Sequence, residues 1–409
     1  MNLFLNTGLF LMSALSLGFR PVLALFGLLF ACIGIYKLVA LPRSANMQRV
    51  HSQEWPVLVG LLVLALCLTA LNLFHGERWA IYHLPVAIFL TLPIFWALSS
   101  YDANPHAFWA GASAGALIAA AIAGYEVLLL GAERAGYLVH NPIPFGSIAM
   151  CLAAASVIGY ESKQRLRSWL NVWALTGLMA GVIAAVLSGS KGCLLALPVL
   201  AYLVYIKCIR PLAIARVWLL LSVLLALSVL TFLAADSYLV SRVQDAARGA
   251  MIWLDNGQVV EGSVGPRLEL IRFAFDTAMI NPLTGIGRDS MVSMLQASAT
   301  NGAYDPFIAQ LHTVHNELLN IWVTKGLLGL LAMSSMYGLS LWYFWRIRHH
   351  ADTHVQNIGL MGMSLCLMYL IFGLSEVALQ LTFFRNFFLV TLVCLLGMAH
   401  AHKSQHTNS

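Results

Sequence analysis

The sequence predicts an all-α polytopic membrane protein of about twelve transmembrane helices with one long, partly helical loop. Three observations carry this. Of 409 residues, 60% are apolar and only 10% are charged. Apolar runs of bilayer length recur almost to the end of the chain, and one acidic stretch interrupts them late. An ordinary soluble domain has about a quarter of its residues charged and less than half apolar. A soluble fold could not cover this much apolar surface, and disorder, a disulfide scaffold and a collagen-like chain are excluded by the same numbers. The net charge of +6 does not imply nucleic acid, because Lys and Arg collect in cytoplasmic loops of membrane proteins for topological reasons.

A hydrocarbon core of roughly 30 Å takes about 20 apolar residues per helix. Runs of that size lie at 3–19, 22–41, 56–74, 79–99, 107–130, 142–160, 168–187, 193–209, 217–235, 318–345, 356–375 and 384–401. The first run lacks a basic leader and a small-residue cleavage site, and another run follows at once, so it reads as a retained span. The seven cysteines lie in or beside apolar runs without a CxxC pair, which indicates neither a disulfide framework nor a thiolate metal site.

Charge sets the orientation. With both termini cytoplasmic, the inside segments hold twelve cations: Lys37, Arg43, Arg49, Lys163, Arg165, Arg167, Lys207, Arg210, Arg216, Arg346, Arg348 and Lys403. The short outside loops hold five: Arg20, Arg78, Arg134, Lys191 and Arg385. This asymmetry follows the positive-inside bias. The expected division is nine helices over 1–235, an outer loop over 236–317, three helices over 318–401 and a polar cytoplasmic tail at 402–409.

The loop carries nine of the seventeen acids, which marks a solvated, folded segment. Pro266 opens a helix-like run, PRLELIRFAFDTAMI, with apolar residues at helical spacing. NPLTGIG (281–287) ends it, and RDSMVSMLQASA forms a second helical run.

Four places could carry chemistry. In SGSKG (188–192), Lys191 stands beside small residues whose exposed N–H groups suit an anion such as phosphate. A cation snorkelling at a helix end is the structural alternative. Arg267, Arg272 and Arg288 share the loop, and Arg267 and Arg288 sit near helix starts, where N-termini and Arg forks favour phosphate. Salt bridges to Glu269 or Asp289 are the alternative. In LHTVHNELLNIW (311–322), a helical conformation would put His312 and His315 on one face, with Glu317 near. The pattern is not H-E-x-x-H, so no metal is expected. His315 alone could be a general base, since an imidazole pKa near 6.5 suits proton abstraction at neutral pH. Asn316 and Glu317 then orient it or simply start the helix. Last, Glu376 of GLSE (373–376) and Arg385 could pair and hold the final two spans in register.

Together, a dozen spans, SGSKG, Arg267 in a long outer loop, NPLTGIG, and HNELLNIWVTKGLLGL at the loop's exit resemble the O-antigen ligase/polymerase superfamily. The sharp motifs lie within 188–192 and 266–330. The sequence departs at Lys191, where relatives commonly carry Arg; the charge is kept but not the bidentate fork. The resemblance implies a GT-C-like glycosyltransferase of the bacterial inner membrane, with its active site facing the periplasm. It implies transfer of O-antigen polysaccharide from undecaprenyl diphosphate to a sugar hydroxyl of lipid A–core. His315 matches the family's essential histidine, and Lys191 and Arg267 match its cationic positions. Arg288 joins them on the turn's geometry alone.

The expected chemistry is an inverting displacement without metal or cofactor. His315 activates the acceptor while Lys191, Arg267 and Arg288 hold the diphosphate, with His312, Asn316 and Glu317 in support. A glycan polymerase or protein O-glycosyltransferase of the same superfamily is the alternative. A transporter fits less well, because it predicts midplane charges and repeat symmetry, and Glu126 is the main in-span acid found.

Overall fold

The computed structural model describes residues 1–40, 54–139, 141–161, 169–210, 248–249, 251–252, 255, 265–300, 304 and 306–407. These residues form helices and connections, with no strand among them. In chain order the helices are α1 (Asn2–Ala14), α2 (Val22–Ala40), α3 (Trp55–Phe74), α4 (Trp79–Ser99), α5 (Pro105–Leu129), α6 (Pro142–Ile158), α7 (Trp169–Leu187) and α8 (Lys191–Ile209). They continue with α9 (Gly265–Ala278), α10 (Arg288–Thr300), α11 (Glu317–Ile347), α12 (Thr353–Phe372) and α13 (Thr382–Ser404). Nine of them, among the described residues, are long and apolar enough to cross a membrane. The chain is a polytopic, all-helical membrane protein. The expected first and sixth spans correspond to the shorter apolar helices α1 and α6. The expected ninth, 217–235, and most of 236–264 lie outside the described residues.

Local sequence explains where the helices start. Asn104 and Asn141 each precede a proline and accept a hydrogen bond from the second residue beyond, His106 N at 3.0 Å and Ile143 N at 2.9 Å. An Asn cap followed by Pro suits a helix start, where the first N–H groups lack intrahelical partners. Proline also breaks helices. The span over α4 is a 3-10 turn (Trp79–Tyr82) and two pieces, His83–Thr91 and Ile94–Ser99, separated at Pro93, which has no N–H to give. In α8 the pieces are Lys191–Leu194 and Leu197–Val204, the second with Pro198 in its first turn.

The interior is built from α6, α12 and α13, whose side chains are nearly all buried. Around them α3 runs along α11, and α7 lies between α5 and α6. Small residues set these approaches: a Cβ on Gly177 would stand 2.6 Å from Ser113 Cα. In lipid, apolar side chains gain little by leaving the solvent, so close backbone packing supplies much of the attraction.

A second, smaller core sits on one end of the bundle. Leu270 and Phe273 of α9 and Met291 and Leu295 of α10 meet Ile308, Val314 and Val323. The amphipathic loop helices are thus present, and their apolar faces are buried against the start of α11.

What fixes this layer is a break in α11. Gly326 adopts φ 63° and ψ −165°, outside the helical region. In an unbroken helix the carbonyls of Val323 and Thr324 would accept from Leu327 and Leu328. Here they accept from Ile286 N at 2.9 Å and Gly287 N at 3.1 Å. The freed N–H groups of Leu327 and Leu328 donate to Pro282 O at 2.8 Å and Leu283 O at 3.1 Å. Two intrahelical bonds are replaced by four across the NPLTGIG turn, so these four groups of α11 are not stranded in an apolar setting.

Gly285 (φ 72°) completes the fit, since a Cβ there would stand 2.5 Å from Lys325 N. Gly285→Ala is expected to lose about 1–3 kcal/mol through φ alone, and more through the collision with backbone. Gly76 has a similar φ of 62° and nothing within 4 Å of its Cβ position, so Gly76→Ala bears only the first term. Thermal midpoints in detergent should fall further for Gly285→Ala; equal shifts would contradict the docked turn.

Candidate active site

Between α12 and α13 runs a short strap, residues 373–380, on which the site is assembled. Asn316 caps α11, its side-chain oxygen accepting from Leu319 N at 3.0 Å. The same side chain donates to Leu374 O at 3.3 Å. Glu317 N donates to Gly373 O at 2.7 Å, and the buried Glu317 carboxylate accepts from Leu379 N at 2.8 Å. The first residues of α11 are thereby stitched to the strap at both of its ends.

His315 immediately precedes this cap. It has φ 52°, making it the one non-glycine residue with positive φ among those described. Such strain persists where the surroundings over-determine it and often marks a functional site. Its Nδ1 lies 3.3 Å from Oε1 of Glu376, a buried carboxylate that also accepts from Val377 N at 2.9 Å. The His315 side chain is 31% exposed, so the ring is held on its carboxylate side yet open to a substrate.

The SGSKG turn reaches the strap from α8. A Cβ on Gly192 would stand 2.1 Å from Ser375 Oγ, one residue from Glu376. Lys191 is exposed at the head of α8. Beside it, Arg134 Nε donates to Ser188 O at 3.0 Å.

At the other end of the strap lies a cavity of about 40 Å³ lined by Asn72, His83, Arg288, Glu317, Lys325 and Gln380, with apolar side chains between them. Residues 75–78 order this region. The Glu77 carboxylate accepts from the N–H groups of Arg288 and Asp289, satisfying the start of α10. It also stands 3.4 Å from Lys325 Nζ. Arg78 grips Asp289 through two hydrogen bonds of 2.9 and 2.7 Å, which hold that carboxyl below its ordinary range. His83 Nε2 meets Gln380 O at 3.2 Å.

The structure brings His315, Asn316 and Glu317 together on the strap, with the Lys191 turn at its Ser375 end. Arg288 joins the cavity at its Gln380 end. Arg267 stands exposed in the first turn of α9, without an ion pair among the described residues. Arg272 pairs with Glu269 at 3.7 Å. Two expectations need correction. His312 and His315 do not share a helical face, because α11 starts only at Glu317 and His315 is in the left-handed region; His312 is exposed. Glu376 does not pair with Arg385, because its carboxylate is turned to His315 and Val377 N; the Nε and Nη1 atoms of the buried Arg385 have no hydrogen-bond partner.

Sequence reasoning missed Glu77, His83, Asn72 and Lys325. Only Lys325 carried a signal, as a cation inside an apolar run. The others become visible when α3, α4 and α11 pack together.

An uncharacterized protein of Haemophilus influenzae is similar to this chain, 18% identical over 315 residues, which cover 76% of this chain and 78% of that protein. Residues 174–334 match the family model described as O-antigen ligase. That segment includes Lys191, Arg267, Arg288 and His315, and its match supports an O-antigen ligase-like family assignment.

Proposed function

We propose that this protein is an O-antigen ligase of the bacterial inner membrane. It transfers O-antigen polysaccharide from undecaprenyl diphosphate to a sugar hydroxyl of lipid A–core on the periplasmic face, with both termini cytoplasmic. The observation that carries the reading is the His315–Glu376 pair, a strained, accessible imidazole inside the segment that matches the family model, backed by a buried carboxylate outside that segment.

The chemistry follows from the geometry. With the Glu376 carboxylate 3.3 Å from Nδ1 favouring a proton on that nitrogen, Nε2 of His315 presents its lone pair to the acceptor hydroxyl. The hydroxyl oxygen bonds to the anomeric carbon as its proton passes to Nε2. The bond from that carbon to the diphosphate oxygen breaks on the opposite face, so the configuration inverts. Undecaprenyl diphosphate leaves with the electron pair, and Lys191, Arg267 and Arg288 meet the growing negative charge. These cations do the work a divalent metal does elsewhere, so the step runs in the presence of chelator. Glu376 is a positioning residue, acting through the imidazole.

His315→Ala is expected to lower the transfer rate by about 10²–10⁴-fold in purified, folded protein; near-normal transfer would remove the base assignment. Glu376→Gln is expected to lower kcat with the donor KM unchanged. An unchanged kcat, or a donor KM that rises as kcat falls, would reduce Glu376 to a packing role.

Lys191→Ala and Arg267→Ala are each expected to weaken donor binding about 10–100-fold, the range of a lost charge-assisted hydrogen bond. Unchanged donor affinity in both would overturn the diphosphate assignment.

A further inference from the structure

We propose that Arg134 is a further donor-binding residue, its guanidinium joining Lys191 to hold the diphosphate of the lipid-linked glycan. This deepens the transfer reading above and rests on it.

The loop that carries Arg134 is shaped by a carboxylate inside a span. Glu126, near the end of α5, is 2% exposed, and its carboxylate accepts from Gly136 N and Leu138 N. Its backbone carbonyl accepts from Ala132 N at 2.9 Å, and Ala135 N donates to Leu187 O, also at 2.9 Å. An acid within a membrane span is costly and by default marks function. Glu126 is closed to solvent, so it acts through the shape it gives residues 132–138, and Arg134 is the cation of that segment.

The loop delivers Arg134 to the SGSKG turn. Arg134 Nε donates to Ser188 O at 3.0 Å. A Cβ on Gly189 would stand 3.1 Å from Arg134 Cγ and 3.2 Å from its Nε, so the side chain is packed on the turn. That bond engages one of the five N–H groups of a guanidinium. The Nη1 and Nη2 groups have neither a hydrogen-bond partner nor an ion pair among the described residues, and they are not sealed from solvent. Arg78 and Arg272, by contrast, are engaged by Asp289 and Glu269. A guanidinium fixed through Nε with its Nη groups open is set to take two phosphoryl oxygens at once.

Position selects the donor. Lys191 lies three residues beyond Ser188 in the same turn, and Gly192 abuts Ser375 of the strap that brings Glu376 to His315. Arg134 and Lys191 thus reach one turn from two loops. A diphosphate carries more than one negative charge, and an ammonium alone is a point charge without a fork. Arg134 supplies the planar contact and Lys191 the second charge.

The test uses the full chain in lipid nanodiscs with Arg134→Gln and Arg134→Lys. Arg134→Gln keeps an N–H donor at the position of Nε, and with it the bond to Ser188, but removes the Nη groups and the charge. Arg134→Lys keeps the charge and removes that donor. Binding of undecaprenyl diphosphate is measured without acceptor, and transfer is measured with donor and acceptor varied separately. Arg134→Gln is expected to weaken undecaprenyl diphosphate binding about 10–100-fold, the range of a lost charge-assisted hydrogen bond. It should raise the donor KM and leave the acceptor KM and the thermal midpoint unchanged, and Arg134→Lys should recover part of the affinity. Normal binding in Arg134→Gln with loss in Arg134→Lys means that Arg134 only stitches loop to turn, which overturns the proposal. A raised acceptor KM with the donor KM unmoved overturns it too. Binding needs no turnover. If the wild type binds undecaprenyl diphosphate through Arg134 but transfers nothing to lipid A–core, the transfer reading fails while the assignment stands. If the wild type transfers glycan and Arg134→Gln binds the lipid diphosphate normally, the assignment fails while the transfer reading stands.

Discussion

The site end of this protein depends on an exchange of backbone hydrogen bonds. α11 gives up two of its own bonds at Gly326, and the 281–287 turn accepts and donates in their place. A helix in an apolar medium cannot leave such groups unpaired, because each would cost several kcal/mol. Break and turn are therefore one unit, and neither is stable in this form without the other. Everything the unit carries is positioned by it: Arg288 follows the turn directly, Lys325 precedes the break, and Glu77 faces both. Gly285 and Gly326 are the residues that allow the backbones to come this close.

On this frame the polar groups divide into two kinds. Some are fully matched and serve architecture: Glu77 on the start of α10, Arg78 on Asp289, Asn316 and Glu317 on the strap. Others are held but incompletely matched: His315 at a strained φ with one ring edge open, Asn72 and Gln380 with unfilled carbonyls, and Arg385 with two idle nitrogens. Burying unmatched polar atoms lowers stability, and folds retain them mainly where function uses them. Gln380 and Arg385 sit at or just beyond the strap, while other unmatched atoms, such as Ser340 Oγ and Ser364 Oγ, lie elsewhere in the bundle.

Much of the fold was legible because its determinants are local. Bilayer-length apolar runs and the amphipathic run after Pro266 act over a few residues, and the structure has helices at each of them that it describes. His315 and the NPLTGIG turn were visible as motifs. Their partners were not, since Glu376 is 61 residues from His315 and Glu77 is 211 from Arg288. The Glu376–Arg385 pair was the natural local guess from charge. It failed because a strap bonded to α11 brings the imidazole to Glu376 first. The two histidines of LHTVHN looked helical by spacing, but a turn that must reach the strap before Asn316 can cap α11 leaves no room for a helix there.

The proposed reaction joins a lipid-linked glycan to lipid A–core through His315. The most direct measurement reconstitutes the purified protein with undecaprenyl-diphosphate-linked glycan and lipid A–core in chelator, and identifies the product by mass. Glycan on lipid A–core with inverted anomeric configuration is expected for the wild type, and essentially none for His315→Ala. Glycan that only lengthens on its lipid carrier, or transfer that persists without His315, would contradict it.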